Sequence, residues 1–184
     1  KVDRYPVDGA SAVRVGERQL PEGKVTYVSL THGLNMVGHT LIGLRYWDLV
    51  CALDLLESLE QVNRRRIGVM GLSLGGEMAL LLSALDARVH AACIGGYLTS
   101  HLHTFLDCAH CTCGYVRDLA RYFEHVDLAA LIAPRPLFLD SGRRDPEFPS
   151  AEAKKVVRQL RPVYRLFRQP QASLGIEIHE GAHE

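Results

Sequence analysis

The stretch Ile67-Gly68-Val69-Met70-Gly71-Leu72-Ser73-Leu74-Gly75-Gly76-Glu77-Met78-Ala79-Leu80 decides how this chain is read. A short apolar run leads into Gly71-Leu72-Ser73-Leu74-Gly75, and a run rich in Met, Ala and Leu follows. Those compositions favour a strand before the serine and a helix after it. The pattern G-x-S-x-G at such a junction lifts the serine to the apex of a sharp backbone bend. The bend is strained, so the residues two before and two after the serine pack close to it and are expected to be small. A glycine-rich connection with an incidental serine has the same five-residue pattern. The flanking chain has to separate the two readings.

Before the bend, Ile42, Tyr46, Leu49, Leu53, Leu56 and Leu59 recur every three or four positions, which predicts an amphipathic helix from about Thr40 to Gln61. Val25-Thr26-Tyr27-Val28-Ser29-Leu30 reads as a strand, Thr31-His32-Gly33-Leu34-Asn35 as a loop, and residues 1–24 as an irregular arm. After the bend, a helix over about Gly75–Leu85 is apolar nearly all round and is expected to be buried; Val89–Gly95 reads as the next strand. Two strand–helix steps in succession argue for a parallel sheet with helices on its faces. Residues 97–126, which hold His101, His103, His110, His125 and three cysteines, break that rhythm and are expected to form a lid or substrate-pocket insertion. The rhythm resumes with a short helix at Asp127–Ile132, a strand at Leu137–Asp140, a helix from about Ser150 to Phe167 and a last strand at Leu174–His179.

A length of 184 residues suits one domain, taken as residues 1–184, with a core of its own. Apolar residues at 47% and charged residues at 23% place the chain among globular proteins. Lys and Arg balance Asp and Glu at 21 each, which argues against a nucleic acid or an anionic membrane as partner. Arg64-Arg65-Arg66 reads as a solvated boundary between elements, and no run approaches the roughly 18 apolar residues of a membrane span. The start has neither an initiator Met nor an apolar leader, so a fragment or processed form is expected. Five cysteines are too few for a disulfide scaffold; Cys51 and Cys93, in apolar periodic segments, read as small buried residues.

Acyl transfer by a serine needs a base for the hydroxyl proton and an acid to orient that base. Ser73 follows the strand at Ile67, Asp145 follows the strand at Leu137, and His183 follows the strand at Ile176. In a parallel sheet the loops at carboxyl ends of strands share one edge, so the three converge. Asp140 and Glu147 compete for the acid. Asp145 is favoured because it stands past the turn, in Gly142-Arg143-Arg144-Asp145-Pro146-Glu147-Phe148-Pro149. His179 competes for the base, but it belongs to a strand, whereas His183 follows Gly181-Ala182 and has loop freedom.

Gly71-Leu72-Ser73-Leu74-Gly75-Gly76, Ile132-Ala133-Pro134-Arg135-Pro136, Gly142 to Pro149 and Glu180-Gly181-Ala182-His183-Glu184 resemble the dienelactone-hydrolase-like and acetyl xylan esterase-like branch of the α/β-hydrolase superfamily. Cys111-Thr112-Cys113-Gly114-Tyr115-Val116 and the segment from Gly38 to Asp48 also resemble stretches of that group. The resemblance implies an α/β-hydrolase fold, with a mostly parallel sheet and helices on both faces. It implies a serine esterase acting on a small-molecule ester without metal or cofactor, with Ser73 as nucleophile, Asp145 as acid and His183 as base. The backbone N–H of Leu74 then supplies one oxyanion donor. Members of that superfamily carry several strands before the bend; here one helix separates His32-Gly33 from it, so His32-Gly33 reads as ordinary loop and the amino-terminal strands are expected to be lacking. Cys108-Ala109-His110-Cys111-Thr112-Cys113 holds soft ligands, but Cys111-x-Cys113 is tighter than the usual zinc pair and no second pair matches it.

Overall fold

The computed structural model describes residues 14–15, 18–19, 27–107, 112–168 and 173–184. The chain forms two compact units, residues 1–44 with 111–117 and residues 45–110 with 118–184. The excursion at 97–126 is thereby divided between them.

In the first unit, β1 (Arg14–Val15) and β2 (Arg18–Gln19) form a two-residue antiparallel pair. The segment read as strand and loop is instead helix α1 (Tyr27–Met36), so His32 and Gly33 are helical. Val28, Thr31 and Leu34, spaced three apart, are the less exposed positions along it, and this one-sided burial overrides the local β-branched character. It packs against a 3₁₀ turn at Thr112–Gly114. There Cys113 is buried and disulfide-bonded. Cys108, Ala109, His110 and Cys111 lie outside the described residues.

Helix α2 (Leu41–Ser58) runs from the first unit into the second. There Tyr46, Leu49, Val50 and Leu53 pack with Ile67, Leu82 and Val89. Cys51 is exposed on this helix rather than buried, because it falls off that stripe.

The second unit is built on a four-stranded parallel sheet in the order β3 (Gly68–Leu72), β4 (Ala91–Gly95), β5 (Leu137–Gly142) and β6 (Leu174–His179). Sequential order means that each βα step adds a strand on the same side, so all carboxyl ends fall on one edge. Helix α3 (Leu74–Leu85) follows β3 and is buried from Gly76 to Leu80, with Leu82 and Ser83. Helix α5 (His125–Ala130) is preceded by the four-residue α4 (Leu119–Tyr122). A capping box starts α5: His125 N–H donates to the Glu124 side chain, and Glu124 N–H donates to Asp127 Oδ2. Helix α6 (Ser150–Leu166) buries Ala153, Val156, Val157, Leu160 and Tyr164, a three-and-four spacing that lays one apolar stripe onto the sheet. Leu80, Ile94, Leu137, Leu139, Phe148 and Leu160 are the centre of the core.

Ile132 to Pro136 has a structural task. The Arg135 guanidinium donates to the carbonyls of Ser83 (2.6 Å) in the last turn of α3 and of Val89 (2.7 Å) and Asp86 (3.0 Å) in the connection that follows it. The Tyr164 hydroxyl donates to the Arg135 carbonyl at 2.8 Å, so one arginine joins α3, the α3–β4 connection and α6.

Candidate active site

Ser73 joins β3 to α3 with φ 58° and ψ −121°, a left-handed backbone that side chains other than glycine rarely adopt. Its N–H donates to the Gly95 carbonyl at 3.0 Å, and its own carbonyl accepts from Glu77 N–H at 3.0 Å. The first bond ties the bend to β4 and the second starts the helix. A Cβ on Gly71 would collide with the Gly75 backbone, and one on Gly76 would lie 2.6 Å from the Gly95 oxygen. Nothing lies within 4 Å of an added Gly75 Cβ, so the crowded positions are 71 and 76 rather than 71 and 75. Leu74 is the first helical residue, and its N–H has no intrahelical acceptor.

Asp145 and His183 meet. The His183 Nδ1 lies 2.8 Å from Asp145 Oδ2, and the Asp145 side chain has no exposure at all. Its other oxygen accepts from Glu147 N–H (2.8 Å) and Phe148 N–H (2.9 Å), so the buried carboxylate is fully hydrogen-bonded. An acceptor-only carboxylate requires the proton on Nδ1, which leaves Nε2 bare in neutral His183. The two supporting loops are tied together: Arg143 N–H donates to the His179 carbonyl and Arg144 N–H to the Gly181 carbonyl. A Cβ on Gly142 would collide with the Ala182 carbonyl, so this close approach also needs a glycine there.

The imidazole of His183 lies over Gly96. An added Gly96 Cβ would stand 3.1 Å from His183 Cε1, and the residue has φ 49°. Gly96 follows Gly95, whose carbonyl holds the Ser73 amide, so serine and histidine occupy adjacent places on one sheet edge. Among the described residues no hydrogen bond joins the Ser73 hydroxyl to His183. Asp140 and His179 lie apart from this pair, 3.9 Å from each other, and the Nδ1 of His179 accepts from Gly181 N–H. Phe148 stacks on the His183 ring at 5.3 Å. The sequence reading did not single out Phe148, Gly96 or Gly142; Gly96 and Gly142 carry a signal, a glycine at a strand's carboxyl end, that serves close approach as well as turning.

His101, Glu124 and His125 bring three possible metal-ligand atoms together. Both ring nitrogens of His125 are already engaged, Nδ1 with the Thr99 carbonyl (2.9 Å) and Nε2 with the Tyr97 hydroxyl (3.2 Å). Glu124 Oε1 takes the His101 and His125 backbone N–H groups and the His101 ring. Both nitrogens of His125 and the Nδ1 of His101 are thus taken up by the fold, and His101 Nε2 is buried without a hydrogen-bond partner among the described residues. An open groove of about 420 Å³ is lined by Ser100, Glu124, Glu152, Lys155, Arg158 and Gln159, and none of Ser73, Asp145 and His183 borders it.

A family model for acetyl xylan esterases matches residues 24–130, more than half of the chain. A Bacillus subtilis protein named as a hydrolase, YtaP, is 32% identical over 133 residues, which is 70% of this chain and 44% of that protein. Among solved structures, a Bacteroides fragilis protein described as an acetyl xylan esterase superposes with a TM-score of 0.71 at 19% identity, covering 86% of this chain and 41% of that one. A glucuronoyl esterase from Solibacter usitatus superposes with a TM-score of 0.66 at 22% identity, covering 78% and 44%. At these identities the structures establish the fold, which is α/β-hydrolase. The chain spans less than half the length of these relatives.

Proposed function

The chain belongs to the acetyl xylan esterase family, and from that premise we propose that it hydrolyses carboxylic esters through Ser73, His183 and Asp145. The observation that carries this reading is the Asp145–His183 pair, a fully buried carboxylate 2.8 Å from an imidazole that lies over Gly96. The Ser73 hydroxyl attacks the ester carbonyl carbon while Nε2 of His183 accepts its proton. Asp145 holds the Nδ1–H tautomer and stabilises the imidazolium that forms. The tetrahedral oxyanion is met by Leu74 N–H, one donor of its hole. Collapse expels the alcohol, protonated by His183, and leaves an acyl-serine. Water, deprotonated by the same histidine, releases the acid. An acetyl ester of a carbohydrate is the substrate class that the family's description suggests.

A fluorophosphonate probe tests the reading directly. The folded wild-type chain is expected to be labelled and Ser73→Ala to be inert; a folded wild type that resists labelling would sink the proposal. A second reading, a binding module on a hydrolase scaffold, is favoured by the absence of a hydrogen bond from Ser73 to His183 among the described residues. Catalytic hydrogen bonds are commonly loose before substrate binds, so the first reading accommodates that gap. Measurable turnover of p-nitrophenyl acetate would reject it.

A further inference from the structure

His103, in the excursion after β4, reaches the loop of Asp145. Its Nε2 lies 3.0 Å from the Glu147 carbonyl oxygen. A carbonyl can only accept, so Nε2 carries a proton and donates, in the neutral Nε2–H imidazole and in the imidazolium alike. The Glu147 carbonyl and the Phe148 N–H belong to one trans peptide group and point to opposite sides of it. The Phe148 N–H donates to Asp145 Oδ1 at 2.9 Å, and Asp145 Oδ2 holds the His183 Nδ1 at 2.8 Å. His103 therefore grips the far side of the peptide group whose near side holds the candidate acid. The same peptide sets where the Phe148 side chain begins. That ring is packed by Tyr97 at 5.5 Å and stacks on His183 at 5.3 Å.

We propose that His103 is a positioning residue for the Asp145–His183 pair, locking the Glu147–Phe148 peptide with its N–H toward the Asp145 carboxylate. The lock itself stands on hydrogen-bond geometry; only its consequence for rate rests on the reading of Ser73 as nucleophile. Glu147-Phe148 has a proline on either side, Pro146 and Pro149, and neither proline has an N–H to give. The Glu147 carbonyl precedes α6 and lies outside its hydrogen-bonded turns. Turning the peptide over would take the Phe148 N–H off a fully buried carboxylate and leave Oδ1 with the Glu147 N–H. A donor on the carbonyl also polarises the peptide, which makes its N–H a stronger donor to Asp145. His103 is held in turn from its own side. Its N–H donates to Ser100 Oγ at 3.2 Å, Thr104 N–H donates to the Ser100 carbonyl at 2.9 Å, and the Thr99 and Thr104 hydroxyls share a bond of 2.7 Å. His103 opens a one-turn π-helix, His103–Asp107, a turn found frequently at functional sites. A segment that the sequence marks only as an excursion thereby braces the acid loop.

The test compares the whole chain as wild type, His103→Gln and His103→Leu, each studied by NMR well below its melting temperature. A Gln amide nitrogen reaches about where Nε2 stands and donates to the carbonyl, whereas Leu keeps the bulk and cannot donate. In wild type the ring-nitrogen shifts of His103 are expected to show a protonated Nε2. A bare Nε2 there overturns the proposal without any variant. The proton on His183 Nδ1, bonded to a buried carboxylate, is expected strongly downfield in wild type and His103→Gln. In His103→Leu it should move upfield or broaden away. In ester hydrolysis His103→Leu should lose kcat by roughly 10–100-fold at unchanged KM, and His103→Gln should recover most of it. A loss of stability alone would lower Tm and move neither the resonance nor the kcat of folded chains. A folded His103→Leu chain with the wild-type Nδ1–H resonance and kcat overturns the lock. A chain that shows the expected resonances but turns over no ester counts against Ser73 as nucleophile and leaves the lock standing.

Discussion

The two ends of the parallel sheet are finished differently. At β5 and β6 the loops lock together: Asp145 is buried with three hydrogen-bond partners, and Gly142 lets the His183 loop pass against the Asp145 loop. At the other end β3, the strand that carries Ser73, pairs with β4 alone among the described strands. Leu137 and Leu139 of β5 are each 1% exposed, whereas Met70 of β3 is 81% exposed. The Asp145–His183 pair therefore gets its geometry from packing within this unit. The serine gets its geometry from the strained bend itself and from the single bond of its amide to Gly95. A site can thus be rigid on one side through burial and on the other through backbone strain.

That contrast can be broken from either side. The largest effect is expected at the serine: Ser73→Ala should abolish probe labelling and lower any esterase kcat by 10³-fold or more, with a melting curve unchanged because no side-chain bond caps α3 there. Asp145→Asn should lower kcat by roughly 10²–10⁴-fold by favouring the wrong tautomer of His183. Asp145→Ala adds a structural penalty, since the Glu147 and Phe148 N–H groups lose their acceptor; about 2–4 kcal/mol of stability is expected to go, read by denaturant unfolding. Gly96→Ala places a methyl 3.1 Å from the His183 ring at φ 49°, and should cost about tenfold in kcat/KM and about 1–2 kcal/mol in stability. Met70→Lys should be smallest, within about 0.5 kcal/mol for this chain alone, because the side chain is solvated. A much larger loss would show that the outer face of β3 is covered in solution.

The parts of the fold most legible in the sequence were those with a strong period. Helices α2, α3 and α6 and strand β6 lie close to where apolar spacing predicted them. Tyr27–Met36 was illegible for the opposite reason: its Tyr, Val, Thr and Gly residues disfavour a helix, and tertiary burial of Thr31 decided otherwise. Ser73, Asp145 and His183 were nameable because loops after strands share an edge in a parallel sheet, which follows from chain order. Phe148, Gly96 and Tyr97 were not, since they matter through what lies across from them in other loops.

The sequence by itself determined the strand–bend–helix at Ser73, because glycines at 71 and 76 and the apolar runs around them act within about ten residues. It also determined the order of the serine, acid and histidine loops. Only the tertiary structure decided that Asp145 rather than Asp140 meets His183, and that His183 rests on Gly96. Those choices depend on close approaches between segments 38 and 87 residues apart in the chain, where ångström-scale packing selects among chemically equivalent side chains.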